Sequence, residues 1–324
     1  MTAGARRATA GVAVAVVAAL VLLLVLRASG GSQPGAAGTA AAGLGAGQQP
    51  AGSSGRPRPA GSSASAAATA PARPGTAATH PDPLSTAAAS FAASRSGSVQ
   101  AAVFDLRTGQ SWRLGDGPAQ PEASVVKLDI LEALLAQRGA ALPSDEQGLA
   151  QAMIEDSDND AATSLWDEAG GAAGLAAYND RAGLTGTTLS QCVTCAGFPW
   201  PGWGLTTTGP ADQLTLLKQL VAPGAHPLLP PAARSYALSL MEHVAADQAW
   251  GVSGGVPPGL TVALKNGWLP LNSADTDWQV NSVGWVSGDG RDYLVAVLST
   301  GNPTEQYGID TISQLSALIW SAMR

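Results

Sequence analysis

Three short polar clusters stand out, in chain order, from an alanine- and glycine-rich sequence: Ser124-Val-Val-Lys127, Ser157-Asp158-Asn159 and Lys265-Asn266-Gly267. A hydroxyl and an amine three residues apart share one face of a helix. A lysine desolvated beside that hydroxyl loses basicity, so its neutral amine can accept the proton of Ser124 and make the oxygen a nucleophile. A helix N-terminus at the same place adds positive potential where an oxyanion would develop. The plain alternatives are a serine-capped helix with a surface lysine, ordinary helix capping within "EDSDND", and a strand lysine facing water. No single cluster decides between these readings; the ordered set favours chemistry.

The surrounding sequence supplies elements to position the three clusters. Leu84 to Ser96 reads as a helix with Phe91 as its one large anchor. "SVQAAVFDL" and "GQSWRLG" flank Arg107-Thr108-Gly109 and suit an antiparallel hairpin. Ser124 then falls at the start of a helix. Helical spacing or start signals follow at Asp145 to Asp156, Asn159 to Ala169, Gly174 to Ala182, Pro210 to Val221 and Pro231 to Val244. The chain returns to strands in "LTVALKNG", which carries Lys265 on an inner strand, in "WQVNSVGWV" and in "DYLVAVLST", and it closes on a helix striped by Ile309, Ile312, Leu315, Leu318 and Ile319. This order predicts a mixed α/β (α+β) fold: the chain ends build one sheet around an inserted helical subdomain, with the site at the seam.

With these motifs in this order, the segment from Leu84 to Arg324 resembles the class A beta-lactamase and penicillin-binding serine hydrolase family, whose motifs are Ser-x-x-Lys, Ser-Asp-Asn and Lys-Thr-Gly. The resemblance implies a sandwich of helices on a five-stranded antiparallel sheet with an all-helical subdomain inserted. It also implies roles: Ser124 as nucleophile, Lys127 as base, and Ser157 as proton shuttle to the leaving nitrogen. Asn159 would orient substrate, Lys265 and Gly267 would receive the substrate carboxylate and backbone, and the N–H groups of Ser124 and Trp268 would form the oxyanion hole. "GLTTTGPADQLTLL" resembles the family's return to a helix after its active-site loop. Two departures stand out. Asn266 replaces the hydroxyl residue of the third motif, although an amide can still donate to a substrate. The family's loop glutamate, which activates the hydrolytic water, would fall near Cys192 to Thr194, yet no Asp or Glu occurs from Arg181 through Ala211. Acylation with slow deacylation is the expectation.

The rest of the chain suggests location and excludes other functions. Arg6 and Arg7 precede an uninterrupted apolar run, Ala8 to Leu26, close to the ~20 residues that span a bilayer. Residues 1–27 therefore read as a cytoplasmic stub and single-pass signal-anchor, with Ala28-Ser29-Gly30 a cleavage site if the protein is instead secreted. Residues 28–83, nearly all Ala, Gly, Ser, Pro, Thr and Gln, read as a disordered tether holding an extracytoplasmic domain at 84–324. In that compartment Cys192 and Cys195 are expected to form a disulfide, with a redox pair the lesser alternative. The tryptophans of "FPWPGW", Trp200 and Trp203, either roof a groove or bury against the helices. A net charge of −7 with scattered basic residues gives no footprint for nucleic acid, and His80, His226 and His243 have no metal-binding spacing. No cofactor is expected, and the chain is expected to act as a monomer. Its partners would be the membrane and a beta-lactam or peptidoglycan stem-peptide-like substrate. A catalytically silent cell-envelope binding module of the same fold is the alternative.

Overall fold

The computed structural model describes residues 80–139 and 142–324. The expected membrane segment and the tether ahead of His80 lie outside the described residues. From His80 onward the backbone is hydrogen-bonded to the domain: the His80 N–H donates to Gln110 Oε1 at 2.7 Å. Among the described residues no helix is long and apolar enough to cross a membrane.

In chain order the elements are α1 (Ala87–Ala93), β1 (Ser98–Asp105), β2 (Ser111–Leu114), β3 (Gln120–Pro121) and α2 (Val126–Arg138). The helical block continues with α3 (Ser144–Glu155), α4 (Asn159–Glu168), α5 (Gly171–Ala182), β4 (Thr207–Thr208), α6 (Pro210–Val221) and α7 (Pro231–Glu242). Then come β5 (Thr261–Pro270), β6 (Trp278–Gly288), β7 (Arg291–Asn302) and α8 (Glu305–Ala322). The main sheet has five strands in the order β2-β1-β7-β6-β5, and each neighbouring pair is antiparallel. This is the sheet, helical insertion and closing helix that the sequence predicts. One placement differs. Lys265 lies on β5, which pairs only with β6 and is therefore an edge strand; a nearly continuous buried run made it look interior.

Strand alternation divides the apolar side chains between the two faces of the sheet. On β7, Tyr293, Val295 and Val297 face one core with Val99 and Val103 of β1, against Ile312, Leu315 and Ile319 of α8 and the partly buried Phe91 of α1. The residues between them, Leu294 and Ala296, join Ala102 in the other core, beneath the helical block. Helix α2 runs through that second core and is buried along the whole of Val126 to Leu135, so it has no polar face.

That placement buries three titratable side chains of α2: Lys127, Asp129 and Glu132. Helix α5 supplies one hydrogen bond to each acid. Asn179 Nδ2 donates to Asp129 Oδ2 at 2.9 Å, and the Tyr178 hydroxyl donates to Glu132 Oε2 at 2.5 Å. Loss of solvent raises Asp129 from 3.8 to about 7, with the Asn179 bond opposing, and raises Glu132 well above the ordinary carboxyl range. The folded chain thus holds a proton on Asp129 that the unfolded chain has lost between pH 3.8 and about 7. Stability falls as pH rises through that window and levels off above it. Asp129→Asn, which keeps an acceptor for Asn179, is expected to match wild type near pH 4 and to exceed its stability near pH 8 by on the order of 2–4 kcal/mol. Urea denaturation at the two pH values tests this; a difference that does not change with pH would contradict it.

Candidate active site

Ser124 lies in a 3₁₀ turn, Ala123–Val125, that leads into α2. Its side chain caps neither the turn nor the helix, unlike the capping role its sequence position suggested. Ala123, just before it, has φ 52°, a left-handed conformation that costs a non-glycine residue roughly 1–3 kcal/mol and needs its surroundings to hold it. The surroundings are at hand: the Glu122 N–H donates to the Thr206 carbonyl at 2.7 Å, and Asn281 Nδ2 donates to the Pro121 and Glu122 carbonyls at 2.8 and 2.9 Å.

One turn on, the Lys127 amine is fully buried, and its bonds go to the second motif. Nζ lies 2.5 Å from the Ser157 carbonyl oxygen, 3.1 Å from Ser157 Oγ and 2.8 Å from Asn159 Oδ1. Loss of solvent lowers its pKa from 10.5 to about 7, with the nearby Asp158 charge pulling the other way. In all three contacts the amine donates. Trp203 adds a ring centroid 5.2 Å from Nζ. Ser157 itself has φ 56°, and the helix cap of α4 is its neighbour Asp158, whose carboxylate accepts from the Ala161 N–H at 2.7 Å.

Lys265 reaches the same hydroxyl from the sheet. Its Nζ donates to Ser157 Oγ at 2.9 Å and to the Asn266 carbonyl at 2.8 Å. Burial first, and then the Lys127 charge, push its pKa well below 10.5. Asn266 alternates to the opposite side of β5. Its amide donates to the carbonyls of Gln248 and Trp250 at 2.7 and 3.2 Å, so the side chain expected to meet substrate serves the fold. Gly267 brings the strand against the nucleophile turn. A Cβ there would sit 2.7 Å from the backbone nitrogens of Ser124 and Val125 and 2.8 Å from the Glu122 oxygen. Trp268, next along, is stacked at a tilt on Trp250 with ring centroids 5.8 Å apart, and it lines the groove beside Ser124.

The loop from Leu184 to Thr206 closes the other wall. Cys192 and Cys195 are disulfide-bonded, with Cα atoms 5.5 Å apart. Gly202 packs on that bridge and donates its N–H to the Val193 carbonyl at 2.6 Å. The two loop tryptophans take different environments. Trp203 is buried and donates Nε1–H to Thr163 Oγ1 at 3.1 Å, whereas Trp200 stays 49% exposed on the groove. No acid of this loop approaches Ser124, because it contains none. The acids next to it in sequence do not line the groove either: Asp160 and Asp180 are exposed elsewhere, and Asp212 accepts from the Gly186 N–H and the Thr187 hydroxyl at 2.7 and 2.9 Å.

Ser124, Ser157, Asn159, Trp200 and Trp268 together line a groove of about 340 Å³. Asp156, Gln248, Pro270, Trp278 and Glu305 complete it, and none of these five is singled out by a sequence motif. Asp156 abuts the second motif, which is a hint in retrospect. Glu305 carries no such hint: an acid in the first turn of a helix already has a sufficient local reason to be there.

This geometry agrees with what the chain matches. Residues 144–323 match the model of the "Beta-lactamase enzyme family", and the protein belongs to that family; Ser124 and Lys127 lie just ahead of the matched residues. A protein named as the lipoprotein LppW, from Mycobacterium tuberculosis, is 28% identical over 234 residues, 69% of each chain. Among solved structures, the TLA-1 extended spectrum beta-lactamase is 16% identical with a TM-score of 0.63, covering 74% of this chain and 97% of its own. PBP-A is 23% identical with a TM-score of 0.60, covering 75% and 98%, and a variant of it was solved as an acyl-enzyme complex with penicillin G. At these identities the structural likenesses establish the fold.

The contact at Gly267 is between backbones, so a neighbouring side chain cannot swing away to make room. Gly267→Ala is expected to push the Ser124 turn off β5 and to cost about 1–3 kcal/mol of stability, read by chemical denaturation. A variant as stable as wild type would mean that the turn and strand are not locked together.

Proposed function

We propose that this protein is an extracytoplasmic serine acyl-transfer enzyme of the beta-lactamase family that forms an acyl-enzyme on Ser124 and deacylates slowly. One observation carries the proposal: a buried lysine with a pKa near neutrality lies one helical turn from an uncapped serine hydroxyl, at the floor of a groove. In this reading neutral Lys127 takes the Ser124 proton as Oγ adds to the substrate carbonyl. The C–N bond of the scissile amide then breaks, and the proton reaches the leaving nitrogen through the Ser157 hydroxyl. Release of the acyl group needs a base to activate water. The groove wall formed by the loop offers none at the expected place, and general-base help is worth roughly 10²- to 10⁴-fold. The substrates are beta-lactams or peptidoglycan-like peptides, and the N-terminal apolar run is the membrane anchor. A relative named as a lipoprotein is consistent with envelope location.

Asn266, turned into the fold, favours a second reading, a cell-envelope binding module of the same fold without acylation. Intact mass after exposure to penicillin separates the two. The enzyme gives a long-lived covalent adduct that is absent from Ser124→Ala; the binding module gives none, and an adduct surviving Ser124→Ala contradicts the proposal.

The pH profile tests the base. The amine is active when neutral, so the acylation rate should be low at pH 5, rise through about 7 and reach a plateau above it. A rate that does not vary between pH 5 and 9 would remove Lys127 from that role.

A further inference from the structure

Alternation of polar and apolar residues along β6 would ordinarily leave Gln279 and Asn281 to solvent, on the side away from Val280. Both are instead wholly buried. Burying an amide costs free energy unless its hydrogen bonds with water are replaced. Here the replacements all go to the three residues that lead into Ala123 and Ser124. Asn281 Nδ2 donates to the Pro121 and Glu122 carbonyls. Reversing this amide would set its oxygen against those two carbonyl oxygens, so the bonds fix its orientation. Its Oδ1 accepts from Gln279 Nε2 at 2.6 Å, and Gln279 Nε2 also donates to Gln120 Oε1 at 2.9 Å. Gln120, Pro121 and Glu122 are thus each tied to β6 by a buried side chain.

Asn281 also stands opposite Gly267 in the β5–β6 ladder. At Gly267 the strand lies against the backbone nitrogen of Ser124, and Trp268 is the next residue. One side chain therefore joins the turn that carries one expected oxyanion donor, the Ser124 N–H, to the strand pair that carries the other, the Trp268 N–H. Such donors act by being in place before the charge develops, and loss of one costs roughly 10²- to 10³-fold in rate. Asn281 does not line the groove, so its effect on a reaction there would pass through the turn.

We propose that Asn281, oriented by Gln279, is a positioning residue for acylation: it holds the Ser124 N–H at the separation from the Trp268 N–H that a tetrahedral oxyanion requires. The inference rests on the Ser124 acyl-enzyme reading. In the step it serves, Ser124 Oγ bonds to the substrate carbonyl carbon and its proton passes to Lys127. The carbonyl π pair becomes a lone pair on the oxygen between the two N–H groups. Collapse of that intermediate restores the carbonyl and breaks the bond to the leaving nitrogen, which takes the proton through Ser157.

Two variants test it. Asn281→Leu removes the donors to the turn at similar volume, and Gln279→Met removes only the bond that orients Asn281, which keeps the test open should the first variant not fold. Stopped-flow acylation by penicillin G separates the saturating rate, the half-saturating concentration and the amplitude. The saturating rate should fall about 10- to 100-fold in Asn281→Leu and by a smaller factor in Gln279→Met. The half-saturating concentration should stay within about 2-fold, and the midpoint of the pH profile should stay at about 7. Affinity for phenylacetamidomethyl boronic acid, whose boron accepts Ser124 Oγ and sets an oxygen between the same donors, should weaken in parallel with the rate. Amplitude counts folded molecules, so a purely structural role would lower the amplitude at an unchanged rate. That result, an unchanged boronate affinity, or a midpoint displaced toward 10.5 would overturn the inference. Wild-type protein that forms no adduct with penicillin G would instead remove the acyl-enzyme reading, and the inference with it.

Discussion

Two lysine amines converge on the Ser157 hydroxyl, at 3.1 and 2.9 Å, in a region almost closed to solvent. Two ammonium charges so close together, without a carboxylate bridging them, repel each other strongly. The arrangement is stable when at least one amine is neutral, a form that the burial of both favours. The hydroxyl between them can then pass a proton in either direction by a small rotation of its O–H. The left-handed backbone at Ser157 belongs to the same arrangement, because it presents the carbonyl and the hydroxyl of one residue to one amine.

The fold supplies the dry environment that this needs. An amphipathic α2 with its charges outward would leave Lys127 an ordinary surface ammonium. Here Val126 to Leu135 are all buried, and α5 provides Asn179 and Tyr178 as partners for the two buried acids, so the Lys127 amine lies in surroundings that disfavour its charged form. Trp203, brought down by the disulfide-bonded loop, covers the amine from the remaining side. The loop thus contributes apolar shielding to the amine.

The order of elements and the three motifs were legible because their signals are local: alternation on β6, an apolar run on β7, Thr208-Gly209-Pro210 opening α6, and spacing within each motif. The surroundings of each motif were not, because they depend on which distant segment arrives. Lys265 reads as interior from its flanking residues, yet whether β5 has one neighbour or two is decided by the sheet as a whole. Asn266 carries a donor that suits a substrate equally well. Its commitment to the Gln248 and Trp250 carbonyls follows from a segment lying 16 to 18 residues earlier in the chain. Likewise, "FPWPGW" could not say which tryptophan would be buried, since Thr163 on α4 takes the indole N–H of one and leaves the other on the groove.

An edge strand in a five-stranded sheet is ordinarily a hazard, since its unpaired backbone groups invite another chain to add on and begin an aggregate. On β5 that edge has no strand partner among the described residues, and at Gly267 the turn that bears Ser124 packs against the strand face so closely that no side chain fits between them. The position of the Ser124 turn beside an unpaired edge strand therefore depends on one glycine.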